Sequence, residues 1–300
     1  MMTEVRQERQ GELLLVAFSF LESWFPIISA FAVALVGAVY SYAFTVLIAA
    51  AVFMTIVCWR GKLHELCKRS AWPDLLLTSF FITLMFGLIF IGVKYTTSGN
   101  VAVIIMMQLF FSFLYFNVLG SEKLFNKQVY GALAMGCGAV AILFPDELLF
   151  NRGDILVLAA AAVAPLANYF QKRARTKVSS VTILGFRSMA AFPVLLFIGY
   201  LFEPTPTLAA LRGAAVFLLI NGVLLMGVSK ILWLEAIHRI SITKACAMCA
   251  FIPLFTIVLA FFLRDELVTP LDGSGAAMIM AGAYLITRLP PGSAEQPVPG

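Results

Sequence analysis

The chain has 300 residues, of which 61% are hydrophobic and 12% charged, and it carries a formal net charge of +5. A soluble chain has roughly 45–50% apolar and about 25% charged residues, so this one cannot cover a water-soluble fold and has too much apolar surface to stay disordered. The class that remains is an all-α polytopic membrane protein, whose excess Lys and Arg belong to loops flanking the membrane and not to nucleic-acid binding.

Residues 1–12 mix Glu4, Glu8 and Glu12 with Arg6 and Arg9. That is not the basic start of a cleaved leader, so they are expected to form a cytoplasmic N-terminus. Apolar runs of spanning length, about 20 residues each, then predict ten transmembrane helices. They lie at 13–34, 38–58, 74–93, 98–119, 127–145, 154–171, 180–201, 213–235, 242–263 and 271–288. The stretch 13–58 is too long for one span and requires a turn, expected near Gly37. Residues 289–300 are rich in Pro and Gly and are expected to be a disordered cytoplasmic tail. The five cysteines, at 58, 67, 137, 246 and 249, read as small apolar residues. Cys246 and Cys249 have CxxC spacing, but no second pair or histidine cluster accompanies them, so neither a metal nor another cofactor is expected.

Orientation follows from Lys and Arg. Of the 21 such residues, Lys94, Arg152, Arg212 and Arg264 fall on one side, and Arg187 and Lys230 fall inside spans. All the others lie at the termini or in the even-to-odd loops, with Trp59 and Trp72 at helix ends on that side. The expectation is a multi-pass protein of the cell (inner) membrane with both termini cytoplasmic.

The halves repeat at an offset of 144 residues. Leu119-Gly120-Ser121-Glu122-Lys123 aligns with Leu263-Arg264-Asp265-Glu266-Leu267, Gly131 with Gly275 and Gly138 with Gly282. Each half holds five spans, an odd number, so the second half (154–288) enters the membrane from the side opposite to the first (13–145). Two inverted five-helix repeats are a recurrent construction of secondary transporters. Glu122 and Glu266 are expected to cap the helices that follow them.

These residues resemble a known family. Val93-Lys94-Tyr95-Thr96-Thr97-Ser98-Gly99-Asn100-Val101-Ala102, then Ser121-Glu122-Lys123-Leu124 and Gly131…Gly138, are similar to the EamA repeat of the drug/metabolite transporter superfamily. The second copy reads Ala236-Ile237-His238-Arg239-Ile240-Ser241, Ile252-Pro253-Leu254, Asp265-Glu266-Leu267-Val268-Thr269-Pro270 and Gly275…Gly282. Leu109 stands where the family's fourth helix usually has proline. The resemblance implies a ten-helix secondary transporter with a central cavity, often an exporter of amino acids or other small metabolites. It also implies a conformational role for Arg187, which matches the family's second-helix arginine.

Charged side chains inside the membrane each need a reason. Glu22 lies mid-span, on a polar stripe with Ser19, Pro26 and Ser29 at helical spacing. It reads as a proton-coupling site or a contact for a substrate amine, against a structural hydrogen bond. Pro26 inside this helix is expected to free a carbonyl beside the stripe. Lys230 and Arg187 lie five or six residues from helix ends, near enough to snorkel. Alternatively they bind a substrate carboxylate or pair with Glu235 or Glu22. Gln108, Ser112 and Tyr115 share a face of the fourth span. Pro165 and Asn168 lie on the sixth, Asn221, Ser229 and Trp233 on the eighth, and Pro253 and Thr256 on the ninth. These line a polar pocket, with Trp24, Tyr169 or Trp233 as apolar walls, or else they hold the bundle together by interhelical hydrogen bonds.

No GxxxxGK[ST], GxSxG or HExxH pattern occurs, so neither ATP-driven transport nor a familiar hydrolase chemistry is expected, and the chain is not read as an enzyme. The expected function is secondary active transport of a small polar or zwitterionic metabolite such as an amino acid. The expected direction is export, by alternating access, with proton coupling as an option. The alternatives are a translocase of a lipid-linked or amphipathic substrate, and a non-transporting receptor. The expected partners are a small-molecule substrate and the lipid bilayer, and the expected state is a monomer.

Overall fold

In lipid every backbone N–H and C=O must find an internal partner, which leaves apolar runs of this length one solution, the helix. The computed structural model describes residues 2–115, 130–131, 133–138, 151–240, 245, 248–249, 252–265 and 269–287, and among them every regular element is helical. The first half contains α1 (Met2–Glu22), α2 (Phe25–Val36), α3 (Ala38–Trp59), α4 (Trp72–Val93), α5 (Ser98–Ile105) and α6 (Met107–Phe113). The second contains α7 (Arg152–Arg175), α8 (Ser180–Phe202), α9 (Leu208–Leu219), a π-helical segment Ile220–Val228, α10 (Ser229–Arg239), α11 (Ile252–Arg264) and α12 (Pro270–Thr287).

Among the described residues six stretches are long and apolar enough to cross a membrane: Arg9–Val36, Ala38–Trp59, Arg69–Val93, Arg152–Arg175, Ser180–Phe202 and Leu208–Arg239. Ser98–Phe113, Phe255–Arg264 and Gly273–Leu285 are shorter apolar helices. This is a multi-pass membrane protein. Of the expected fifth span only 130–131 and 133–138 are described, and they are helical. The turns holding Glu122 and Glu266, the CxxC residue Cys246 and the tail 289–300 lie outside the described residues.

Three expectations are corrected. Helix α1 begins at Met2, because the Glu, Arg and Gln residues of 1–12 are good helix formers and extend the first helix. The first span does not run continuously past Pro26. It breaks at Ser23–Trp24, and Pro26 sits in the first turn of α2, where its missing N–H costs nothing. The eighth span is longer than expected and carries nine π-helical residues, Ile220–Val228, around the poor helix formers Asn221, Gly222 and Gly227. The turn at Gly37 is where the length argument puts it. Its φ of 86° favours glycine. The next three N–H groups, of Ala38, Val39 and Tyr40, donate to the Glu203 carboxylate at 2.9, 3.0 and 3.3 Å, so the end of α8 caps the start of α3.

The dominant helix contacts join the two halves: α4 lies along α7, α3 along α8 and α1 along α10. Exchanging the halves turns the α4–α7 contact into α1–α10 and returns α3–α8 to itself. The repeated glycines pack in the same reciprocal way. A Cβ on Gly138 would lie 2.6 Å from the Gly275 carbonyl oxygen, and one on Gly282 would lie 2.4 Å from that of Gly131. Gly131 opposite Gly282 and Gly138 opposite Gly275 is an antiparallel register, and only glycine permits so close an approach.

One end of the bundle is basic and closed by ion pairs. Asp74, fully buried in the first turn of α4, accepts from Arg173 at 2.7 Å and Lys177 at 2.6 Å. Glu235 accepts from Arg175 at 3.1 Å, from Arg239 at 2.7 Å and from Ser180. Glu65 accepts from the Ser179 N–H and hydroxyl and from the Thr182 hydroxyl, at 2.6–2.8 Å. Partial burial raises the Glu65 pKa, but the bonds from Thr182 and Ser179 and the charge of Lys62 outweigh it and bring it to about 2.

Candidate functional site

The break between α1 and α2 exposes backbone that the helix would otherwise satisfy. The Thr256 hydroxyl of α11 donates to the Ser23 carbonyl across it at 2.9 Å. Glu22 is the last residue of α1, so the break turns its side chain into the bundle. The π turns before Ser229 shift the helix face that follows and present Ser229 and Lys230 to Glu22. Lys230 Nζ meets Glu22 Oε1 at 2.5 Å and Ser229 Oγ donates to Oε2 at 2.7 Å. The Lys230 ammonium also lies 5.1–5.4 Å from the ring centroids of Phe86, Phe25 and Phe18, within cation–π range.

Arg187 enters from α8. Its Nη1 donates to Gln171 Oε1 at 2.9 Å, while its Nη2 finds no hydrogen-bond partner among the described residues. Asn168 Oδ1 accepts from Trp233 Nε1 at 3.1 Å and from Gln171 Nε2 at 3.5 Å. The snorkelling reading of both bases is corrected: Arg187 is 4% and Lys230 6% exposed. So is the pairing of either with Glu235, whose carboxylate is used at the basic end.

These groups surround a cavity of about 830 Å³, the open solvent at its mouth included. Its polar lining is Glu22, Gln108, Asn168, Gln171, Arg187 and Lys230, set among aromatic, Met and aliphatic side chains with Trp233 and Cys249. Gln108 reaches it because the fourth span breaks at Met106, where the Met106 carbonyl accepts from the Leu109 N–H at 3.0 Å. The break forms without the family's proline. A few polar groups converging on an apolar wall suit a small organic ligand.

Six of the residues expected from sequence therefore meet at one cavity: Glu22, Gln108, Asn168, Arg187, Lys230 and Trp233. Four do not line it. Ser112 is buried and its Oγ finds no partner among the described residues. Asn221 accepts from Ser29 at 3.4 Å. Trp24 packs half-buried against the core, and Tyr169 stacks edge-on to Phe170. Gln171, the last residue of the expected span 154–171, was not singled out because it adjoins Lys172-Arg173 at the helix end. Its spacing of three from Asn168 on one helix was the available signal.

The model of the EamA-like transporter family matches residues 9–144 and 151–288. The chain belongs to this family. The EamA-like chain is 24% identical over 210 residues to the "Uncharacterized transporter YoaV" of Bacillus subtilis (strain 168), covering 67% of this chain and 70% of that one. It is 25% identical over 202 residues to the "Probable terminal-alkyne amino-acid exporter" of Streptantibioticus cattleyicolor, covering 66% of each. A solved crystal structure superposes with a TM-score of 0.70 at 19% identity, over 92% of this chain and 97% of that one, which shows that the two share a fold. The protein is a membrane transporter of the drug/metabolite superfamily.

Proposed function

We propose that this transporter is a secondary exporter of a small polar metabolite bearing a carboxylate, an amino acid or a derivative of one, working by alternating access. The observation that carries the reading is the buried Glu22–Lys230–Arg187 set, drawn from both halves onto one cavity. Charges are retained inside a membrane chiefly where they handle a substrate or ion. The exporter among its relatives supports the direction and the class. The substrate's carboxylate seats on Arg187, with Gln108 and Asn168 orienting it.

The architecture proposed is ten transmembrane helices in two inverted repeats, supported by the reciprocal helix contacts and the antiparallel glycine pairs. Such a pair of repeats has two nearly equivalent states, one open to each side. The ion-paired basic end is the cytoplasmic side of the cell (inner) membrane, in keeping with the Lys and Arg distribution, and both termini lie there. A chain that encloses its own cavity can work as a monomer.

Glu22 is the coupling residue in this reading. Protonation would dissolve its pairing with Lys230 and free that cation to rearrange with the substrate. The test is flux of amino acids and small carboxylates from proteoliposomes under an imposed pH gradient. Glu22→Gln should abolish the pH-driven component and retain part of the exchange. Normal pH-driven flux in Glu22→Gln would remove Glu22 from the mechanism.

A further inference from the structure

The charges in the cavity do not balance. Among the described residues lining it, Glu22 supplies one negative charge, and Lys230 and Arg187 supply two positive ones. Glu22 and Lys230 neutralise each other at 2.5 Å. That leaves the Arg187 guanidinium, 4% exposed, with Nη2 unpartnered. Gln171 holds Nη1 at 2.9 Å and fixes the fork. A buried cation in a medium of low polarity requires a counter-charge, and a guanidinium with an unpartnered Nη2 is suited to a carboxylate.

The one carboxylate among the described lining residues, which would balance an ammonium charge, is already neutralised: Glu22 pairs with Lys230 and also accepts from Ser229. The rings of Phe18, Phe25 and Phe86 already face the Lys230 ammonium. The Asn168 carbonyl oxygen accepts from Trp233 and Gln171. Gln108 remains, a neutral amide suited to a neutral polar group.

Resting on the transport reading above, we infer that the substrate is a monoanion: a carboxylate with an apolar body whose amine is absent or acylated, and not a free zwitterion. N-acyl amino acids and 2-hydroxy acids are members of this class. The carboxylate pairs with Arg187, Gln108 takes the amide or hydroxyl, and the aromatic and Met wall takes the body.

The test is binding to the purified full-length transporter in lipid nanodiscs at pH 7, with matched probes: leucine, N-acetyl-leucine, 2-hydroxyisocaproate and isoamylamine. The two acids should bind about tenfold or more tightly than leucine, a difference of about 1.4 kcal/mol, and isoamylamine most weakly. Arg187→Gln should remove the preference and Arg187→Lys should keep part of it. The wild-type comparison decides the matter if Arg187→Gln does not fold. Leucine or isoamylamine binding as tightly as the acids would overturn the inference and leave the transport reading standing. Binding of none of the four would overturn both.

Discussion

Lys230 and Glu22 hold each other in a place where neither would be stable alone. Removing one partner of a buried ion pair leaves an unpaired charge and typically costs about 3–5 kcal/mol, whereas replacing both by groups of similar volume can be neutral. Glu22→Gln and Lys230→Met should therefore each lower the thermal stability of the detergent-solubilised protein, and the double variant should recover much of the loss. Additive losses would mean that the two side chains do not act as a pair. Both residues stand out in the sequence because any charge in an apolar span does. Their pairing does not, because 208 residues separate them and only the packing of α1 along α10 brings them together. Gln171 was hidden by its basic neighbours. Asn221 was misplaced because the π turns at 220–228 change the register on which a face is counted.

Helix ends and helix crossings carry the next level of order. Glu203 accepts three N–H groups at the start of α3 and sits where the helix dipole favours an acid. Glu203→Ala should cost about 1–2 kcal/mol in thermal unfolding, with Glu203→Gln milder. Equal stability of all three would show the cap to be dispensable. The glycine crossing makes a symmetric prediction. Gly138→Leu and Gly282→Leu should reduce the yield of monodisperse protein by similar amounts, because each places a side chain against the opposing backbone. A large loss at one position only would argue against a reciprocal contact. The six long spans and the Gly37 turn were legible because length and a lone glycine suffice to mark them. The Ser23–Trp24 break was not, because Pro26 alone is compatible with a kinked continuous helix.

Across the whole molecule, the ion pairs of the basic end tie α4 of the first half to α7 of the second. Asp74, held by Arg173 and Lys177, is the main buried link. Alternating access requires that link to break when the cavity opens to that side. Cys249, buried at 2% exposure and lining the cavity, is a native reporter. In a variant keeping only this cysteine, Asp74→Asn should speed its reaction with a polar maleimide by about fivefold or more, the scale of a modest coupling energy. An unchanged rate would mean that the ion pairs do not close the cavity. The presence of two repeats was legible in the glycine offset. The pocket's unbalanced charge was not, since it depends on which three charged residues meet.

The most direct measurement is counterflow in proteoliposomes: exchange of a labelled small carboxylate or amino acid against the same compound inside, for wild type and Arg187→Gln. A substrate seated on Arg187 predicts exchange by the wild type, reduced about tenfold or more in a folded Arg187→Gln variant. Equal exchange by the two proteins would contradict binding at this cavity, and no exchange of any such compound by the wild type would contradict export of a small polar metabolite.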